Sequence, residues 1–356
     1  MKIVHAIFSF MIGGAETMLV DIINEQSKTD SVSLIIINSN VDKELLKTLD
    51  KNIPVYLLDR NPGNKFALPK VFFNVRKIIS KINPDVIHCH DNKLFPFFSQ
   101  WRKKTCVTVH GVTHSLIFLN RFRAVFSISG AVMKNLKARG NVNSILVYNG
   151  INIDQYKVKT DYSFNIDTDE IKIIQIGRLF PQWKGQDFAI RSLSFLVKKY
   201  PNANIKLYFV GAGDGLKELE NLTEKYKLQD RIVFLGKVDR DWVKNNLYKY
   251  SIMIQPSVFE GFGLTIIEGI ASGLPVIATN IYGPKEILEK LDAGLLILPE
   301  DSKDLTEKIS WVIDDYISGD IRNKKYMLQD RSQLRQFDIR ETSSNYLLKY
   351  KKYILT

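Results

Sequence analysis

Residues 256–279 read P-S-V-F-E-G-F-G-L-T-I-I-E-G-I-A-S-G-L-P-V-I-A-T. The run opens where a short apolar strand, Ile252–Gln255, ends. Gly261 and Gly263 turn the chain, and apolar residues at helical spacing follow from Thr265 to Ala271. After Gly273 a second apolar strand begins, Pro275–Ala278. Strand, glycine loop, helix and strand form the repeating unit of a parallel α/β sheet. The glycines let backbone approach a ligand, and the helix start presents the amides of Phe262, Gly263, Leu264 and Thr265, where the helix dipole favours an anion. This predicts a phosphate site. Glu260 and Glu268 bracket it, and carboxylates there suit sugar hydroxyls better than phosphate. Thr265 and Glu268 also fit a capping box, which needs no ligand.

Working outward, the same alternation fills the chain. Apolar strands are predicted at Ile3–Phe8, Val32–Ile37, Val55–Leu58, Asp85–His90, Cys106–His110, Phe126–Ile128 and Ser144–Tyr148, with helices over Ala15–Ser27 and Pro69–Ile82. Residues Lys157–Glu170 are polar and unpatterned and read as a linker. The alternation then restarts with strand Ile171–Ile176, helix Gln186–Lys199, strand Lys206–Val210, helix Gly215–Tyr226 and strands Ile232–Leu235 and Ile252–Gln255. The expected architecture is α/β, with two doubly wound, Rossmann-like domains facing across a cleft. Ligands are expected beyond the carboxyl ends of the strands. The divisions read are 1–155, 156–337 and a basic, tyrosine-rich terminal helix within 338–356, expected to pack back on the first domain.

The 356 residues suit two domains, and 45% apolar with 25% charged residues is ordinary for a globular protein. Charge is one-sided. Residues 1–150 hold 20 basic and 10 acidic side chains, whereas the remainder holds 30 and 28. A basic first half points to an anionic partner there, a phosphate-bearing ligand, nucleic acid or an acidic membrane surface, or is a basic average with no partner. Neither a recognition helix, zinc-finger spacing nor an RNP signature is present, so nucleic acid is not expected. Every apolar run is cut by charge, Gly or Pro before it could span a bilayer. Met1–Ile12 leads into Gly13-Gly14 and a helix, so it reads as a first strand rather than an export signal. Two cysteines, Cys89 and Cys106, both in apolar runs, fit a reducing compartment.

Other stretches carry candidate chemistry. In I-G-R-L-F-P-Q-W-K-G, Ile176–Gly185, Arg178 and Lys184 occupy a loop after a strand. Two cations there could neutralise a departing diphosphate, or could be solvated surface charge. Gly13-Gly14-Ala15-Glu16 and Gly211-Ala212-Gly213-Asp214-Gly215 follow strands but lack the spacing of a dinucleotide fingerprint. His88 and His90 share a strand face and, with Asp91, make a poor zinc set. His110 ends its strand, either aimed at the ligand or satisfied in place. His5 and His114 offer nothing specific. Asp239-Arg240-Asp241 spells D-x-D but precedes a helical run, so helix initiation explains it better. On Pro69–Ile82, Val71, Phe72, Val75, Ile79 and Ile82 form one face, and Lys70, Lys77 and Lys81 lie on the other. Trp101 precedes Arg102-Lys103-Lys104. This basic and aromatic set suits an anionic membrane or acceptor, or is a solvated face behind a core stripe.

The stretch Glu260–Glu268 resembles the E-x7-E motif of glycosyltransferase family 4, the group 1 glycosyltransferases, which are retaining enzymes of GT-B fold. Further matches follow in order: Gly13–Glu16, Asp85–His90, Thr108–Gly111, Ser127–Ser129, Tyr148–Ile151 with Asp154, Gly177-Arg178 and Lys184-Gly185. The resemblance implies that Glu268 holds the nucleotide ribose and Glu260 the transferred sugar. It implies that Arg178 and Lys184 stabilise the leaving diphosphate with the amides around Gly263–Thr265. His110 would meet the donor sugar and its phosphate side, and Gly13 and Gly14 the diphosphate and acceptor. No cofactor and no divalent metal are implied, and a front-face displacement assisted by the leaving phosphate is the chemistry commonly proposed. Two departures stand out: Trp183 lengthens the gap between Arg178 and Lys184 by one residue, and Asn152 stands where Asp is commoner.

The expected function is retaining transfer of a sugar from a UDP- or GDP-sugar to a saccharide or lipid-linked acceptor, in surface polysaccharide or glycolipid synthesis. The expected location is cytoplasmic, peripheral on the inner membrane face. The rival readings are an epimerase-like enzyme acting on the donor alone and a non-catalytic sugar-nucleotide or membrane-binding protein.

Overall fold

The computed structural model describes residues 1–11, 13–64, 68–112 and 115–355; His114 lies outside them. It divides into two compact units. The first comprises Met1–Asn152 with Gln336–Thr356, and the second Ile153–Arg335.

The first unit is a seven-stranded parallel sheet. Its strands are β1 (Lys2–Ile7), β2 (Ser31–Asn38), β3 (Val55–Arg60), β4 (Val86–Cys89), β5 (Thr105–Val109), β6 (Ala124–Ser127) and β7 (Ile145–Leu146). Their order is β3-β2-β1-β4-β5-β6-β7. From Val32 to Asn38 every residue of β2 is buried, as a strand covered on both faces requires. The sheet reverses direction of growth between β1 and β4, so the loops after those strands open beside its switch point. Gly13 and Gly14 lie after β1, and His90 follows β4. The helix Ile339–Tyr353 belongs to this unit, and its Tyr346 and Tyr350 are fully buried.

The second unit is a six-stranded parallel sheet of β8 (Glu170–Ile176), β9 (Asn204–Val210), β10 (Ile232–Gly236), β11 (Ile252–Gln255), β12 (Val276–Thr279) and β13 (Leu295–Ile297). The order is β10-β9-β8-β11-β12-β13, with its switch point between β8 and β11. Ile173, Leu207, Ile254 and Ile277 from four strands meet Ile190 and Leu193 of helix Gln186–Lys199 in one core.

The stretch Lys157–Glu170 is irregular, but it is not a free linker. The Lys159 amide donates to the Ser272 carbonyl at 2.9 Å, and Tyr162 Oη donates to the Gly273 carbonyl at 2.6 Å. Tyr162, Phe164 and Ile166 pack on the second core. These three side chains are half-buried, and the polar residues between them, Ser163 and Asn165, are exposed.

Candidate active site

The loops after β8 and β11 stand side by side at the switch point of the second unit. The first carries Arg178, then a one-turn helix Pro181–Lys184 rather than the open loop expected, with Pro at its start and Gly185 ending it. Gly185 is required there: its φ is +65°, and a Cβ would lie 2.0 Å from the Pro256 carbonyl oxygen. This near-contact brings the two loops together. The Val258 and Phe259 amides both donate to the Trp183 carbonyl, at 2.9 and 3.0 Å. The extra residue of the first loop is thus the anchor of the second. Gln175 Nε2 adds a bond to the Lys184 carbonyl at 2.7 Å.

This scaffold sets Lys184 Nζ 2.6 Å from Glu260 Oε2, with both side chains about four-fifths buried. Arg178 is different. Its guanidinium is largely exposed and reaches Asp214 at 3.1 Å.

Beyond Glu260 the chain turns through Gly263, whose φ of +108° only glycine adopts comfortably, into helix Leu264–Ala271. No side chain caps this helix. Gly263 occupies the cap position, so Thr265 sits inside the first turn and the capping box does not form. The Ile266 amide reaches the Gly263 carbonyl at 3.0 Å, whereas helical geometry gives the Leu264 and Thr265 amides no intrahelical acceptor. Phe262 is buried. Glu268, one turn further, accepts from Tyr156 Oη at 2.8 Å. Nothing in the local sequence marks Tyr156, which lies 112 residues away. The Asp239 carboxylate accepts from the Trp242 amide at 2.6 Å, which accounts for D-x-D as a helix start.

Residues 159–327 match the model for glycosyl transferases group 1, and residues 12–155 match that for glycosyltransferase family 4. The chain belongs to this family. Among the glycosyltransferase's relatives is the gpi3 subunit of phosphatidylinositol N-acetylglucosaminyltransferase from Schizosaccharomyces pombe, 26% identical over 92% of this chain and 76% of that one. Protein CapJ of Staphylococcus aureus is 32% identical over 54% of this chain, and the match spans 48% of CapJ. The crystal structure of Anabaena HepE in complex with UDP and glucose superposes with a TM-score of 0.82, covering 99% of this chain and all of that one at 22% identity. The fold is GT-B.

In the glycosyltransferase's first unit, His110 is half-buried at the end of β5, and its Nε2 lies 3.4 Å from His90 Nδ1. His90 Nε2 lies 3.0 Å from His5 Nδ1, and His5 Nε2 lies 2.9 Å from Gln26 Oε1. His88 Nδ1 meets Tyr350 Oη at 2.6 Å, and its Nε2 meets Thr108 Oγ1 at 2.7 Å. His5, for which the sequence offered no role, is therefore central. Nitrogens of His5, His88 and His90 come within 4.8 Å of one another. They make a poor cation site all the same, because all six ring nitrogens already have hydrogen-bond partners and, among the described residues, no carboxylate joins them. Asp91 instead accepts from the Lys93 amide at 2.7 Å. Burial pushes His5 down to about 4, and His88 and His90 well below the ordinary histidine value.

The basic and aromatic set divides. On helix Leu68–Ile82, Val71, Val75 and Ile79 are buried. Phe72, expected in that stripe, is exposed at its rim and stacks on Phe97 with ring centres 4.4 Å apart. Its neighbour Phe73 is 68% exposed, flanked by exposed Lys70 and Lys77, with Lys81 further along. Arg102 and Lys103 are exposed, whereas Trp101 is half-buried. Lys104 has a structural use, donating to the Pro84 carbonyl at 2.9 Å. Among the described residues no helix is long and apolar enough to cross a membrane.

Proposed function

We propose that the enzyme transfers a sugar, with retention, from a nucleoside-diphosphate sugar to a saccharide or lipid-linked acceptor. The observation that carries this reading is the meeting of Lys184, Glu260 and the uncapped helix start at Gly263–Thr265 beside one switch point. A diphosphate would take the Leu264 and Thr265 amides and the Lys184 ammonium, with Arg178 exchanging Asp214 for phosphate. Glu260 would accept from hydroxyls of the transferred sugar, and Glu268, steadied by Tyr156, from the ribose. Gly13 and Gly14 would give close backbone approach, and His110 would meet the donor sugar.

As the anomeric C–O bond breaks, the departing diphosphate carries the negative charge that these donors stabilise. The acceptor hydroxyl adds on the same face, and its proton passes to the leaving phosphate oxygen. Protein cations and amides supply the charge stabilisation, so no divalent metal is invoked. UDP in HepE makes a uridine donor the first to test. The phosphatidylinositol-directed relative supports a lipid-linked acceptor, and the Lys70, Phe73 and Lys77 face supports docking on an anionic membrane.

Thermal unfolding with UDP, GDP, ADP and their sugar conjugates, with and without magnesium, tests the donor. A true ligand at a hundred times its dissociation constant adds about 2.7 kcal/mol to the folded state. A shift with one nucleotide that needs no magnesium is expected. Absence of any shift would refute the donor site, and a donor consumed without glycoside formation would favour an epimerase.

A further inference from the structure

Four side chains of the first unit stand in a line of hydrogen bonds: Gln26 Oε1 to His5 Nε2, His5 Nδ1 to His90 Nε2, and His90 Nδ1 to His110 Nε2, at 2.9, 3.0 and 3.4 Å. Gln26 and His5 are fully buried, and His90 nearly so. The line joins four elements, from helix Gly14–Ser27 through β1 to the ends of β4 and β5.

A neutral imidazole has one N–H and one lone pair, on opposite nitrogens. In a row of rings bonded nitrogen to nitrogen, every ring must therefore point its proton the same way, and the group at the end decides which. Burial keeps His5 and His90 neutral at ordinary pH. The end group is an amide oxygen, which only accepts. Gln26 Oε1 thus draws the proton of His5 to Nε2 and leaves its Nδ1 bare. That bare nitrogen draws the proton of His90 to Nε2, and bare Nδ1 of His90 does the same to His110.

We propose that Gln26, His5 and His90 form a tautomer relay that holds His110 as its Nε2–H form, with Nδ1 as the accepting nitrogen. This rests on the role given to His110 above and sharpens it. On neutral His110 a group that meets Nδ1 must bring a proton, so a sugar hydroxyl qualifies and an ionised phosphate oxygen does not. His110 is thereby assigned to the hydroxyl-bearing part of the donor rather than its diphosphate. Gln26, His5 and His90 are positioning residues, acting on the substrate only through His110.

The test is two-bond proton–nitrogen correlation spectroscopy of the full chain labelled with ¹⁵N-histidine. The expected result is a proton on Nε2 of His5, His90 and His110 alike. A proton on Nδ1 of His110 would overturn the relay, since it would mean that the amide nitrogen of Gln26 faces His5. Gln26→Leu removes the accepting atom while keeping an apolar filler, and should give His110 a mixture of tautomers with kcat/KM down about tenfold. Gln26→Glu, which accepts with either oxygen, should restore the Nε2–H form and most of the rate even if it lowers Tm further than Leu does. If Leu preserves the tautomer, or Leu and Glu rank by Tm alone, Gln26 is a packing residue and the relay is wrong. The spectra need no turnover, so they judge the relay separately from His110→Ala kinetics, which judge the catalytic assignment.

Discussion

Lys184 Nζ and Glu260 Oε2 stand 2.6 Å apart, joining the loop after β8 to the loop after β11. One contact thus couples the cation proposed for the leaving group to the carboxylate proposed for the sugar. Lys184→Ala and Glu260→Ala should each lower kcat by about 10²–10³-fold. In stability the two should not add. A double-mutant cycle read by urea unfolding is expected to show coupling of about 1 kcal/mol. Additive losses in both kinetics and stability would mean the pair is incidental.

Tyr156 presents its hydroxyl to Glu268 at 2.8 Å. Tyr156→Phe deletes that donor and keeps the ring. Steady-state kinetics should show donor KM raised several-fold with kcat nearly unchanged, matching the loss of one hydrogen bond to a charged group, about 1.5–3 kcal/mol at most. A fall confined to kcat would place Glu268 at the reacting carbon instead of the nucleoside.

Gly263→Ala would force a side chain onto a φ of +108° with its Cβ 2.9 Å from Ile266 Cδ1. The strain should cost roughly 1–3 kcal/mol in unfolding free energy. Because relaxation must rotate the first turn of the following helix, nucleotide-induced thermal stabilisation should fall too. Calorimetry with and without nucleotide reads both, and a normal nucleotide shift in the variant would remove that turn from the anion site.

Burial holds His5 at about 4 and His88 and His90 well below their ordinary value, while in the unfolded chain each titrates near ~6.5. Between those limits the unfolded chain binds more protons, so stability rises with pH through the window and is lost as the pH falls through it. Each ring that stays neutral contributes about 1.4 kcal/mol per pH unit. The carboxyls lowered in the fold, Asp30, Asp161, Glu170, Asp320 and Asp330, add to the loss towards the acid end of this range, whereas burial raises Glu16 and Asp187, which act against the histidines. Urea midpoints at pH 7.5 and 5.0 should therefore differ clearly, with pH 5.0 the weaker. Equal midpoints would argue that these rings are charged or solvated.

The parallel sheets were legible because their buried strands are unbroken apolar runs and their helices keep strict spacing. Helix Gln186–Lys199 coincides with the bounds read from its spacing, and Ile339–Tyr353 falls within the terminal stretch 338–356 read as a helix. Beyond Thr279 the reading stopped short of helices Tyr282–Leu291 and Ser302–Ile317 and of β13. The motif residues Glu260, Lys184 and Arg178 were visible as charges after strands, but their pairings were not. Tyr156 reaches Glu268, and Asp214 reaches Arg178, across separations that no local pattern encodes. The same limit hid His5: one histidine in a strand looks inert until parallel pairing sets it opposite His88. The capping box failed for a different reason. Gly263, already needed for the turn, takes the cap position and moves Thr265 inside.

The helix Ile339–Tyr353 has a consequence for how the protein is made. Its Tyr346 and Tyr350 fill the interior beside His88 and Thr108, so the first unit lacks part of its core until this helix, which follows the second unit in the chain, is synthesised. The second unit is continuous in the chain and meets no such delay. On the ribosome the order of completion is therefore inverted. Ile153–Arg335 can close first, while the N-terminal sheet waits with its histidines uncovered, the stage at which a nascent chain is most exposed to chaperones and proteases.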